Sequence, residues 1–442
     1  MTNFTNERTY ILYVIQIFFL LILFYISANK LGVFEDEYLA LTSNSGFFTS
    51  LDFNGGIKAG GSYSVALTSG PVSSLGGVIG WLVSKNLLVA RLSNFIWSLL
   101  LNFALITYAK KYVKFDYGNL LIFSTFCILL VPWYYGVLYS IGEITSTILF
   151  FYSVILFPFK RHISLVLMSV SIFYGKFLLI VIFSIFYLFN LFINNEYKKI
   201  YKDVLYFIFP LVMWFLLVGW HYENNSITNY INDFIYFNFT NNQSGGLKEI
   251  GSATIADYIL SYKGSEVVKW SIADKLRVLI SPLIFCFIVV FSNISENAFK
   301  KIQYPIIFST MTLYLWFWIL SPTKWIRYSQ HFLLIQLLFI FFLLSTNNIQ
   351  NNYLLSGVFV IYISLFLNSY FLIFLFLTLF IIQNTKKFKT TETFMGLIVF
   401  ILFLNSFNAI YELRSKQNFD FKFDDCVETL NSIDCYKEYM NQ

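Results

Sequence analysis

Apolar residues run along this chain in stretches of about 15 to 20 positions without a charge, the length needed to cross about 30 Å of hydrocarbon as a helix. The stretches are separated by short polar connectors. Candidate spans fall at 10–28, 92–109, 119–136, 144–158, 164–176, 177–193, 204–220, 277–291, 304–320, 331–345, 353–368, 370–383 and 393–410. The pattern predicts an all-α polytopic membrane protein of about thirteen transmembrane helices. The run from Tyr10 to Ala28 has no small-residue cleavage site after it, so it is expected to be retained as the first span. The stretch 163–193 has no charged interruption until Lys176. As one helix of about 31 residues it would be about 46 Å long, well beyond a bilayer's need. Two short spans meeting near Gly175 and Lys176 are therefore expected.

Lysine and arginine set the orientation. With Arg8 on the inside, the inside connectors are KKYVK (110–114), FKRH (159–162), NNEYKKIYKD (194–203), SENAFKK (295–301), NNIQNN (347–352) and NTKKFK (384–389), and all but one are basic. The large segments 29–91 and 221–276 and the tail 411–442 then lie outside. Residues 1–410 form the expected catalytic membrane domain, with 411–442 as a short external tail.

Composition agrees with this picture and narrows the function classes. Of 442 residues 57% are hydrophobic and 12% charged, and the formal net charge is +6. The basic excess sits in the inside connectors, so it reads as anchoring charge with no sign of a nucleic-acid partner. Cys426 and Cys435 fall in the external tail, where an oxidising compartment makes them a disulfide candidate; two free thiols are the alternative. Cys127 and Cys286 lie within spans and read as small apolar packers.

Charge next to a membrane is costly unless it is paired or lines water, which singles out four places. Glu35, Asp36 and Glu37 lie in FEDEY just after the first span. Glu143 is a lone acid between two apolar spans; Lys176 sits at the expected bend; Lys324, Arg327 and His331 lie in SPTKWIRYSQH. The acids read either as solvated or helix-capping groups or as a general base made stronger by crowding and burial. The spacing of Lys324, Arg327 and His331 puts them on one helical face. That face suits a phosphate, the alternative being snorkelling to lipid headgroups. Three adjacent acids could also hold a divalent cation, although one short run does not make a cage, and no catalytic metal is expected.

These residues resemble the GT-C superfamily, the integral-membrane glycosyltransferases that use polyprenyl-phosphate sugars and include protein O-mannosyltransferases and lipid A aminoarabinose transferases. FEDEY is similar to their first-loop Asp-Glu motif, and TSGPVSSLGGVIGWLVSKNLLVARLSNFIWSLL (68–100) to their second juxtamembrane segment and the Arg-Leu pair opening the next span. VPWYYGVLYSIGEITSTILFF (131–151) resembles the hairpin whose tip carries a second acid. FYGKF (173–177) resembles a lysine-bearing bend, and SPTKWIRYSQHFLL (321–334) the late Arg-Tyr motif. The resemblance implies external juxtamembrane helices in the first loop, Asp36 as catalytic acid with Glu37 beside it, and Glu143 as second-loop acid. It implies Lys176, Lys324, Arg327 and Arg91 as groups holding the donor phosphate. His331, grouped with them, departs from the residue, often proline, found after the Arg-Tyr pair, and Glu35 is an extra acid.

The expected reaction is an inverting transfer at the external face, at the bacterial inner membrane facing the periplasm. A sugar on a polyprenyl phosphate, such as undecaprenyl phosphate, moves to a hydroxyl of an external glycan or lipid-linked acceptor, as in O-antigen modification. An O-antigen polymerase or ligase, and a glycan flippase or transporter, are the rival readings. The loop 221–276 reads equally as a glycan-binding surface or as a cover for the site.

Overall fold

A computed structural model describes residues 70–110, 143–221, 226–235, 272–292 and 297–317, with single positions between 18 and 48 and between 336 and 362. The described residues are helical, with no strand among them. In chain order the helices are α1 Pro71–Ser84, α2 Leu87–Lys110, α3 Glu143–Leu156, α4 Arg161–Phe173, α5 Leu179–Asn194, α6 Ile200–His221, α7 Ile227–Ile235, α8 Ile272–Phe291 and α9 Asn297–Leu315. The first span is helical at each described position from 18 to 28. Positions 37, 41, 44, 45 and 48 of the first loop are helical too.

The stretch 163–193 is two helices, α4 and α5, broken between Phe173 and Leu179. Their far ends meet again. Arg161, which opens α4, forms an ion pair with Glu196 just beyond α5, and its Nε donates to Asp203 of α6 at 2.8 to 2.9 Å. Tyr187 of α5 donates to the same carboxylate at 2.8 Å, and Lys199 bridges to Glu196 at 2.9 Å. Two acids in a basic connector thus tie three helix ends together. Burial pushes the Glu196 carboxyl up, but Lys199 and Arg161 outweigh it and hold the group below its ordinary value of 4.5. A depressed carboxylate contributes stability above that value and loses it as pH falls through the folded one. The thermal midpoint is therefore expected to drop on acidification below the ordinary value, with a weaker pH dependence in Glu196→Gln.

Across the bundle, α4 lies between α3 and α6, while α5 packs on α9. Hydroxyls and an amide stitch neighbouring helices: Ser164 Oγ donates to the Ser153 carbonyl at 2.6 Å, Ser169 Oγ to Phe207 at 2.7 Å, Gln303 Nε2 to Val289 at 2.5 Å and Tyr314 OH to Leu279 at 2.9 Å. Such bonds suit an interior where backbone groups find little water. Among the described residues, Tyr197–Val218 is the stretch long and apolar enough to cross a bilayer on its own.

In the segment 29–91, expected outside, α1 folds back on α2 through Lys85, which caps α1 in the left-handed region at φ 52°. Small residues let the two helices approach. A Cβ on Gly76 would lie 2.5 Å from the Trp97 Cβ, and one on Gly80 would lie 2.6 Å from both the Ser93 Cβ and the Val89 carbonyl oxygen. Ser93 Oγ donates to the Gly76 carbonyl at 2.6 Å across this seam. Gly80→Val must push backbone apart, and is expected to cost about 1–3 kcal/mol. The check is the thermal midpoint in detergent, with Val83→Ala, at an 80% exposed position of the same helix, as the unchanged control.

Candidate active site

Arg91, in the second turn of α2, draws the first loop onto the bundle. Its Nε donates to Glu37 Oε1 at 2.9 Å, its Nη2 to Glu37 Oε2 at 2.7 Å, and its Nη1 to the Ala28 carbonyl at 3.0 Å. Both side chains are almost fully buried, at 2% and 0% exposure. The planar fork matches the carboxylate, and the spare donor takes a carbonyl at the end of the first span. Phe24 of that span stacks on Phe95 of α2 at 4.4 Å. Buried apolar contact therefore brings the span to α2, and one bidentate pair fixes where the acidic loop leaves it.

A second cluster forms where α4 turns into α5. The Gly70 amide donates to the Gly175 carbonyl at 2.7 Å, Val72 to Tyr174 at 2.8 Å, and the Lys176 amide to Ser171 at 2.9 Å. These bonds satisfy the exposed backbone of a bend that interrupts two helices. Both glycines are required by closeness. A Cβ on Gly70 would lie 2.4 Å from the Tyr174 carbonyl oxygen, and one on Gly175 would lie 2.2 Å from that of Ser171 and 2.3 Å from Ser146 Oγ. The bend that carries the half-buried Lys176 is thus met by the N-terminus of α1 and by the first turns of α3. Glu143 is the first residue of α3, one turn before Ser146.

The beginning of the loop 221–276 closes over the same bend. In α7, Tyr230 and Phe234 are one turn apart and both buried. Tyr230 OH accepts from Trp214 Nε1 at 3.0 Å. Trp214 lies 4.7 Å from the Tyr174 ring, and Phe177 meets Phe234 edge-on at 4.7 Å. Burial pushes the Tyr230 phenol up, against a smaller opposite effect of the Trp214 bond, so the group stays neutral. The sequence offered no motif for this helix. The signal was the four-residue spacing of Tyr230 and Phe234 in YINDF (230–234).

The expected site residues therefore resolve into groups. Glu37 and Arg91 meet each other; the bend that carries Lys176 meets the starts of α1 and α3 through Tyr174 and Gly175. Gly76 and Gly80 place Arg91 roughly level with Gly80, so about ten residues of α1, or about 15 Å, separate the two clusters along the helix. Arg91, expected with Lys176 on the donor phosphate, has its fork on Glu37 and Ala28. Glu35, Asp36, Lys324, Arg327, His331, Cys426 and Cys435 lie outside the described residues. No group of three or more metal-binding side chains occurs among the described residues.

With this geometry the chain superimposes on the crystal structure of ArnT from Cupriavidus metallidurans bound to undecaprenyl phosphate. The TM-score is 0.56 at 12% sequence identity, covering 91% of this chain and 77% of that one. The fold resembles that of ArnT. The crystal structure of ArnT in the apo state matches with a TM-score of 0.48 and 13% identity over 74% of this chain and 58% of that one. No family model and no curated protein matches the sequence.

Proposed function

We propose that this chain is a membrane glycosyltransferase that moves a sugar from a polyprenyl-phosphate donor to an acceptor hydroxyl with inversion at the anomeric carbon. The observation that carries the reading is the Glu37–Arg91 pair, which anchors the acidic loop at the start of α2 in a fold similar to ArnT. Asp36 is one Cα step, about 3.8 Å, from that anchor. With Glu37 held by Arg91, Asp36, the acid matched to the first-loop motif, receives the acceptor proton in preference to its neighbour Glu35, and Glu143 orients the acceptor.

Lys176, together with Lys324, Arg327 and His331, supplies the positive charge that stabilises the lipid phosphate as the glycosidic bond breaks and negative charge collects on it. Arg91 belongs to the other end of the site as a positioning residue. A gap of about 15 Å between the Arg91 and Lys176 clusters suits this division, since one residue's side chain does not serve both ends. A hexose as the sugar, a surface glycan such as O-antigen as the acceptor and a periplasmic site are the finer parts of the proposal. The loop containing α7 covers the donor end, its aromatic stripe gripping the bend at Phe177.

The test is direct. Purified protein with a polyprenyl-phosphate hexose and an isolated lipid-linked glycan is expected to release free polyprenyl phosphate in step with sugar incorporation. Absence of both across a panel of polyprenyl-phosphate sugars would reject the reading.

A further inference from the structure

We propose that the basic end of α6 is a docking site for an anionic phospholipid, separate from any donor site. Its apolar part is an uncovered stripe along the helix. Tyr201, Leu205, Phe209 and Leu216 are 63, 67, 65 and 49% exposed, and only 17% of the span Tyr197–Val218 is buried within the protein. The four positions recur about every four residues and then seven, so they run along one side of the cylinder for about 22 Å, the length of an acyl chain.

Its polar part is built by a segregation of charge. The segment NNEYKKIYKD contains two acids, and both are turned inward: Asp203 is 4% exposed on Arg161, and Glu196 pairs with Arg161 and Lys199. Lys198 and Lys202 are exposed, and Lys202 Nζ lies 5.7 Å from the Tyr201 ring. Asn194 Nδ2 donates to the Lys301 carbonyl at 3.3 Å, which sets the exposed Lys300 and Lys301 of α9 beside the same connector. Cations from two elements thus rim the foot of an exposed apolar stripe while the neighbouring acids are held in ion pairs, Asp203 buried and Glu196 partly so.

That combination is complementary to a phosphodiester headgroup with its chain laid along α6. Arg161 and its acids set the local scaffold; Lys198 and Lys202 meet the phosphate. The sugar donor is a different occupant, because the Lys176 bend lies at the other end of this helix, where Trp214 meets Tyr174. Asp203 and Trp214 are eleven positions apart on α6, or about 16 Å.

The experiment compares the intact protein in phosphatidylcholine nanodiscs with and without phosphatidylglycerol, using native mass spectrometry and thermal melting. Phosphatidylglycerol is expected to be retained in preference to phosphatidylcholine and to raise the melting midpoint. A basic residue near a charged membrane surface contributes about 1 kcal/mol, roughly fivefold, so Lys198→Gln with Lys202→Gln should weaken retention on the order of 25-fold. Lys198→Arg with Lys202→Arg should keep it. Both lysines are exposed, so loss of fold does not confuse the result. Equal retention of the two lipids, or a glutamine variant that holds phosphatidylglycerol like the parent, overturns the proposal. Undecaprenyl phosphate displacing phosphatidylglycerol from the parent, with the displacement abolished in the glutamine variant, also overturns it, because the site would then take the polyprenyl lipid.

Discussion

Asp36→Asn is expected to lower sugar transfer by about 10² to 10⁴-fold, the usual contribution of a positioned general base. The amide keeps the size of the side chain and loses the basic oxygen, so the acceptor hydroxyl has no group to take its proton. Expression, melting temperature and donor binding should stay near the parent's, since the anchor of this loop is Glu37. The measurement is the initial rate of polyprenyl phosphate release at saturating donor and acceptor. A rate within about threefold of the parent's, well short of the loss of a general base, would remove Asp36 from the mechanism. Glu143→Gln run alongside is expected to raise the acceptor KM more than it lowers kcat, which separates orientation from proton transfer.

Arg91→Ala should have the largest effect on the molecule itself. It takes from the Glu37 carboxylate, 0% exposed, the guanidinium that donates to both of its oxygens. Breaking a buried pair by removing one partner costs about 3–5 kcal/mol, because the remaining charge is stranded. The melting midpoint should fall clearly, and kcat with it, as the acidic loop is no longer held on α2. Arg91→Lys keeps the charge but cannot reproduce the two-pronged contact, so an intermediate loss is expected. Glu37→Gln combined with Arg91→Met removes both charges and should recover much of the stability without recovering the rate. The same series separates the two roles open to Arg91. A positioning residue lowers stability and kcat while the donor KM holds, whereas a phosphate ligand raises the donor KM and leaves the midpoint unmoved. The second pattern would return Arg91 to the donor site.

The break in the stretch 163–193 was legible from length alone, because one helix there would overshoot the bilayer. Helices α2 to α6, α8 and α9 overlap apolar runs expected as spans; α2, expected at 92–109, is Leu87–Lys110, and α9, expected at 304–320, is Asn297–Leu315. Helix α1 was anticipated only as a juxtamembrane segment. Its seam with α2 rests on Gly76 and Gly80, and their need for closeness is invisible until a neighbouring helix is present.

For the site, the sequence singled out Glu37, Glu143 and Lys176 because charge is scarce near a membrane, and Arg91 only through the GT-C resemblance. It could not assign partners to them. Glu37 and Arg91 are fifty-four residues apart, and their pairing depends on how the first span packs on α2 through Phe24 and Phe95. The same limit hid Asp203 and Glu196, which look like ordinary connector acids until the hairpin brings Arg161 to them.

The sequence by itself determined the helical membrane class, the break at Gly175 and Lys176, and the short list of charged groups. Hydropathy and span length are local properties, and a local signal survives in one dimension. The tertiary structure alone decided that Arg91 holds Glu37, that two glycines and Ser146 frame the lysine-bearing bend, and that the acids of the basic connector face inward. Each of these is a choice of partner between residues distant in the chain, made by which apolar faces pack and which buried charge finds an opposite one.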